Sequence, residues 1–523
     1  GQVVCVGTPG DLSTAISGCT PWDTFNLNNP ASLAVVQAAG TTAEGISNTL
    51  SQERIKYADI NGGIVDLPAG TMSFAFGGSY RTEYLNSEVG SGLLSDDFGG
   101  CPLSSQCTQP VRGGYSVKEV YGELFVPLLK DFPGIQSLSV DLNDRYSKYS
   151  DFGSTSNWHI GVQYHPIEDV LLRGNVSEVF RAPTIGDIFG GLGIGGTTLN
   201  GDPCDHITSP NPACVGVPTD GSFVDLAVAG HAQTNTLGSG SALAGFPLGP
   251  EQGKSFDFGI VWSPKFVPGR LSVAADWWRI YLNNNITGVS ANTVLTACFN
   301  GLTQFCPLID RFGADTPNPG QIREIRAPTV NLGRIDVEGV DFNVSYLLPR
   351  FSFGQFDVTF NSTYMTQYKQ QTAPGLSGNQ EFDLVGNINT DVGGGIGILI
   401  PRIRAQSSLS WRLGNWSASW RMRFIDHFDL GSHAVARHYS AVPGFKRGNP
   451  YVLRYGAYTY NDLSVGYDIP AIKTQFSFGI NNAFNKQPPF LPYNATGLGN
   501  GGSDGSDFDL IGRYYWARAT VNF

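Results

Sequence analysis

The sequence predicts an all-β chain folded as a transmembrane antiparallel β-barrel, and three observations carry that prediction. Apolar and polar residues alternate with a period of two in one segment after another. The connections between these segments are short and long by turns. The eight cysteines form four close pairs, and every pair falls on the long-connection side. Period two sends successive side chains to opposite faces of a strand. A membrane barrel turns the apolar face to lipid and the polar face to its interior.

Fifteen strands are expected. The first, over 51–63, leads through DLPAG to a second over 70–85, where Met72, Phe74, Phe76 and Tyr80 oppose Ser73, Ala75, Ser79 and Arg81. The third and fourth, 114–127 and 135–148, flank PLLKDFPG. In the fifth, 154–164, Trp158, Ile160, Val162 and Tyr164 alternate with His159, Gly161 and Gln163, and HPIE turns into a sixth over 169–183. The seventh, 254–263, sets Phe256, Phe258, Ile260 and Trp262 against Ser255 and Asp257, and SPKFVPG leads to an eighth at 270–283. The ninth and tenth, 334–348 and 354–366, meet at LPRFSFG and carry the alternating runs VDFNVSY and FDVTFNSTY. Strands at 400–412 and 416–426 join at RLGNW, those at 455–467 and 474–486 at DIPAIKT, and the last covers 512–523. Most have about ten residues or more, as a tilted crossing of a bilayer requires. Residues 1–50 read as a loop region with a short helix near Ala31 to Ala39, ahead of a barrel over 51–523.

The long connections are 86–113, 184–253, 284–333, 367–399, 427–454 and 487–511, and only 149–153 breaks the alternation. Short turns on one rim and long loops on the other fit the periplasmic turns and extracellular loops of outer-membrane barrels. With the last strand running inward, Cys5 and Cys19, Cys101 and Cys107, Cys204 and Cys214, and Cys298 and Cys306 all reach the long-loop rim. No pair forms a CxxC or stands beside a histidine pair, so local disulfides made in an oxidising compartment are expected rather than metal sites. Segment 184–253 is rich in Gly, Ser, Thr and Pro, and is expected to be mobile or only locally ordered.

Composition narrows the function. Charged residues are 15% of the chain, against roughly 25% in an ordinary soluble protein, which suits strands with one face in lipid. A net charge of -11 argues against a nucleic-acid partner. The nearest approach to a membrane helix is the short run Ile396 to Pro401, so any crossing must be made by strands. The opening GQVVCVGTPG lacks the apolar region of a signal peptide. The seven histidines are scattered and no GxSxG or HExxH pattern occurs, so neither an enzyme, a metal nor a cofactor is expected.

Six segments then resemble, in order, the barrel of the TonB-dependent receptors. NVSEVFRAPTIGDIF (175–189) is similar to that family's "FRAP" strand end, here Phe180, Arg181, Ala182 and Pro183. LGPEQGKSFDFGIVWSP (248–264) resembles its "PE" strand, and LSVAADWWRIYLNNNI the strand that follows. NLGRIDVEGVDFNVSYLLP, FGINNAFNKQPP (478–489) and RYYWARATVNF resemble later segments of the same barrel. The resemblance implies a 22-stranded barrel around an N-terminal plug, so fifteen strands ending inward correspond to its closing part with the plug absent. It also implies a bacterial outer-membrane receptor surrounded by outer-membrane lipid. Such a receptor imports a scarce nutrient (siderophore-iron, cobalamin, a glycan or a peptide) by ligand binding and gating driven by the TonB complex, which engages a region N-terminal to this chain. The alternatives are a passive general porin and, from another class, a secreted all-β adhesin or lectin domain.

The candidate binding residues come from face parity. Around RLGNW, Ile403, Leu409, Trp411, Trp416, Trp420, Met422 and Phe424 face lipid, while Arg402, Arg404, Arg412, Arg421 and Arg423 face the interior. Arg402, Arg404 and Arg423, with His427 nearby, are expected to gather in the upper half. There they either bind carboxylate or catecholate groups of a ligand or pair with plug carboxylates along a hydrated wall. Tyr439, Phe445, Phe490 and Tyr493 are loop aromatics that either stack on cargo or pack the loops together. His159 and His165 read as polar lining.

Overall fold

The computed structural model describes residues 46–94, 109–190, 193–197, 201–226, 234–239, 247–316, 318–371, 381–389, 398–430, 454–490 and 507–521, with the isolated positions 13 and 30. Fifteen strands build its wall: β1 Ser47–Leu67, β2 Gly70–Val89, β3 Val111–Phe132, β4 Ile135–Tyr149, β5 Gly153–Ile167, β6 Val170–Arg181, β7 Glu251–Trp262, β8 Arg270–Gly288, β9 Ile322–Leu347, β10 Gln355–Gln371, β11 Ile403–Leu413, β12 Trp416–Ile425, β13 Tyr458–Ile469, β14 Thr474–Asn481 and β15 Tyr514–Val521. Each pairs antiparallel with the next in sequence, from β1 through to β15. Among the described residues no ladder joins β1 to β15.

The cross-strand register confirms the parity of the faces. Ser79, Glu119 and Ser147 form one row, for example, and Ile60, Phe76 and Gly122 another. The apolar face is the uncovered one: Phe76, Ile160, Phe258, Trp262, Phe342 and Phe478 all stand exposed, Phe258 at 60%. A soluble sandwich would bury that face against a second sheet. Here buried apolar side chains gather mainly at the long-loop rim, in two clusters. The polar face is knitted by its own hydrogen bonds, as where Glu119 accepts from Ser79 at 2.9 Å and Ser147 at 2.8 Å.

The turn rim is made by tight connections that need particular residues. Gly134 adopts φ 76° between β3 and β4, a left-handed value natural to glycine. Gly354 adopts φ 127°, and a Cβ there would lie 2.2 Å from Trp411 Nε1, whose N–H donates to the Phe353 carbonyl at 2.7 Å.

Two expectations need correction. The strand predicted from residue 51 begins at Ser47, so β1 takes in the end of the expected loop region. Within 184–253, residues 201–226 are not loosely ordered. They share a core with 289–330, in which Cys204, Val217, Phe223, Val294, Leu295, Phe305 and Ile325 pack together. The predicted Cys204–Cys214 and Cys298–Cys306 disulfides are both present and staple this core, each contributing roughly 2–3 kcal/mol by shortening the unfolded loop. Helix α1 (Ile185–Phe189) follows β6, and helix α2 (Ala291–Phe299), capped by the Ser290 hydroxyl on the Thr293 N–H, presents Val294, Leu295 and Cys298 to the core. β9 runs 26 residues, well past the wall, and pairs with short strands at Ile309–Arg311 and Thr234–Ser239. The helix expected near Ala31 to Ala39 and the pairs Cys5 with Cys19 and Cys101 with Cys107 lie outside the described residues.

Candidate functional site

The inner face carries a charged belt written by register. Arg173, Gly259, Asp276, Asp341, Thr363 and Arg404 are direct neighbours across β6 to β11. Because Gly259 has no side chain, Arg173 reaches across it to Asp276, with Nε and Nη2 at 2.8 and 2.7 Å from Oδ1. A Cβ on Gly259 would fall 1.8 Å from that oxygen. Thr363 Oγ1 donates to Asp341 at 2.7 Å, which leaves the acidic side of the belt tied to the strands themselves.

The basic side differs. Arg404 stands opposite Ile425, while Arg423 stands opposite Gln406 and Tyr460, two residues further along. Diagonal inner-face neighbours of this kind lie within reach of long side chains. Both arginines line a hollow of about 490 Å³ with Asn343, Asn361, Thr363 and Tyr460. Arg423 Nη1 and Nη2 donate to the two oxygens of Asp509 at 3.0 and 2.6 Å, its Nε lies 3.5 Å from Asp462, and its guanidinium sits 5.1 Å from the Tyr460 ring centroid. Arg404 pairs with Asp507. Between those aspartates, Phe508 is 3% exposed and seated against Phe428 and Tyr458, with Ile388, Leu399, Ile425 and Tyr460 in the same cluster.

Of the expected cluster, then, the fold brings Arg404 and Arg423 together and leaves the others aside. Arg402 precedes β11 and its Nη1 lies 3.4 Å from the Met365 carbonyl. His427 follows β12 and its ring nitrogen Nδ1 is 2.7 Å from Asp426 Oδ1. Phe490 exposes its ring, and its carbonyl accepts from Tyr455 Oη at 2.9 Å. Burial in the aromatic cluster raises the Tyr455 phenol above its ordinary pKa, so it remains a donor. Tyr439, Phe445 and Tyr493 lie outside the described residues. Parity could have added Tyr460, which shares its face with Asp462 on β13. Asp507, Phe508 and Asp509 lie in a loop without period, so only the need of two arginines for counter-charges hinted at them.

The sequence motifs meet at the loop rim. Arg181 donates to Glu251 at 2.5 Å, and that buried carboxylate also accepts from Asn285 Nδ2 and the Ile286 N–H, both at 2.7 Å. Asn331 completes the clamp, accepting from the Gly249 N–H at 2.7 Å and donating to the Gly249 and Asn284 carbonyls at 2.9 and 2.8 Å. The FRAP, PE and NLG segments thus tie the ends of β6, β7, β8 and β9 into one joint.

A wall apolar outside and charged within, topped by disulfide-stapled loops, defines a membrane β-barrel of the receptor type. The family model for the TonB dependent receptor-like β-barrel matches residues 20–483, and the chain belongs to that family. Solved structures share the fold. The ferric enterobactin receptor of Pseudomonas aeruginosa aligns with TM-score 0.57 at 14% identity, over 91% of this chain and 54% of its own. That receptor in complex with enterobactin gives 0.57 at 13%, over 91% and 55%. The siderophore receptor PirA of Acinetobacter baumannii gives 0.53 at 14%, over 90% and 55%. The chain therefore spans about half the length of these receptors. No curated protein matches the sequence.

Proposed function

We propose that this chain is the barrel portion of a bacterial outer-membrane receptor that imports a small, negatively charged nutrient, a ferric siderophore above all, by binding followed by TonB-driven gating. The observation that carries the reading is the Arg404–Arg423 pair facing a hollow of about 490 Å³ in the inner wall. Two guanidinium forks at diagonal positions of one face suit paired anionic oxygens better than a neutral glycan. Of the proteins sharing the fold, one is by name a ferric enterobactin receptor and another, PirA, a siderophore receptor. On this reading the stapled loops stand outside the cell and the tight turns in the periplasm, and the TonB complex supplies the energy for gating.

The test is the double variant Arg404→Ala/Arg423→Ala in the intact receptor. Loss of two charge-assisted contacts should weaken binding of a ferric siderophore by about ten- to a hundredfold, while the folded barrel still resists heated detergent. Unchanged affinity rejects the site.

A further inference from the structure

We infer that Asp507, Phe508 and Asp509 occupy the arginine site as an internal stand-in for cargo, and that the cargo they imitate carries paired anionic oxygens on an aromatic ring, as a catecholate chelate does. The inference rests on the anion-binding reading above. It starts from where the counter-charges come from. Elsewhere on the inner wall, Arg81, Arg145 and Arg173 take carboxylates from the wall strands, Glu83, Glu119 and Asp276. Arg404 and Arg423 take theirs chiefly from the loop segment between β14 and β15. Arg423 does have a wall carboxylate within reach, Asp462 at 3.5 Å, yet its two-pronged contact goes to Asp509.

The segment also has the form of a ligand. Phe508 seats its ring in an aromatic nest, centroids 5.0 Å from Tyr458 and 5.8 Å from Phe428, and is 3% exposed. The carboxylates on either side of it each meet a guanidinium. An aromatic body flanked by anionic oxygens is what the site holds, and the fork on Arg423 grips two oxygens at once. A catecholate presents two adjacent oxygens on a ring and can satisfy the fork and the nest together. A neutral hydroxamate or a sugar offers the site neither negative charge nor an aromatic ring. The exchange is also even-handed in cost, since cargo replaces one set of ion pairs and ring contacts by another and leaves no arginine bare.

Competition of this kind lowers apparent affinity by the fraction of molecules in which the segment is out of the site. Binding of tris(catecholato)iron(III) to the intact receptor is therefore compared between the native protein, Asp507→Asn/Asp509→Asn, and Arg404→Ala/Arg423→Ala. The asparagine variant should bind about tenfold tighter, since two ion pairs no longer hold the competitor. In the native protein the same probe should speed amide hydrogen exchange over 507–511, a reading that needs no variant, whereas a neutral ferric trihydroxamate should not. If the arginine variant loses binding while the asparagine variant gains nothing and exchange stays constant, the stand-in is wrong and the anion site survives. If the arginine variant binds as the native protein does, the anion site itself is wrong. An equal exchange response to the trihydroxamate overturns the catecholate assignment.

Discussion

Single residues on the inner wall matter by what they leave open as much as by what they supply. Gly259 is extended strand without special backbone need, yet it is the gap through which Arg173 reaches Asp276. In Gly259→Ala the new methyl would meet Asp276 Oδ1 at 1.8 Å and Arg173 Nε at 3.1 Å, so the ion pair must part or the strands must shift. The expected cost is about 1–3 kcal/mol, read from the urea midpoint of the refolded protein. Starting from Arg173→Gln the same change should cost less, because the pair it disrupts is already gone; equal costs in both backgrounds would reject the coupling. Charge placement of this kind was legible in part. Asp257, Arg404 and Arg423 were assigned inward from alternation alone, because a period of two admits only two answers. Which inward residues touch was not legible, since Arg173 and Asp276 lie in strands that are two apart in the ladder. The partners of Arg404 and Arg423 belong to a loop, where no period exists to place them.

At the scale of elements, strands were readable and loops were not, for a physical reason. A strand's pattern is set by its two environments, so β5 or β7 announces itself within nine residues. The rim domain is set by contacts between distant segments, and its residues alternate with nothing. Ile207, Phe223, Val294 and Phe305 form one core only once β6 to β9 bring their loops together. The cysteine spacing did reveal the two staples seen there, and composition misled, because the many Gly, Ser and Pro residues suit tight turns around a small core as well as a loose chain. At the centre of this domain Arg311 is buried and fully engaged, with Nη1 and Nη2 on Asp202 at 2.5 and 2.9 Å, Nη1 on the Gly320 carbonyl at 2.8 Å and Nε on the Ala213 carbonyl at 3.0 Å. Asp202→Ala leaves that guanidinium buried without its anion, at a cost of about 3–5 kcal/mol. The rim domain should then be cleaved by added protease near 201–226 while the wall strands remain protected. Reduction of the two disulfides should act in the same direction and to a similar extent. If the wall unfolds together with the rim, the two are one cooperative unit and the separation drawn between them is wrong.

For the molecule as a whole, the decisive fact is which face is covered. A chain with this many long alternating strands can bury its apolar face in a sandwich or present it to lipid, and alternation does not choose. Loop asymmetry favoured lipid, and the structure agrees by leaving Phe258, Ile260, Trp262, Phe476 and Phe478 uncovered among the described residues. In water each such side chain would forgo roughly 1.5–3 kcal/mol of burial, so the wall requires an apolar solvent. The two faces should therefore answer oppositely to the same charge. Phe258→Arg, on the outer face of β7, is expected to cost about 2–4 kcal/mol if it sits near the bilayer middle. Ser255→Arg, three residues earlier and facing inward, should be tolerated within about 0.5 kcal/mol, as a surface change away from packed groups is. Both are measured by the fraction of protein that folds into phospholipid vesicles and resists heated detergent. A sandwich, with its apolar side buried by protein, would give the same order of faces, but its folding would proceed without vesicles at all. Equal damage from the two substitutions would mean that the inner face is packed as tightly as a core, and the hollow beside Arg404 and Arg423 could not then admit cargo.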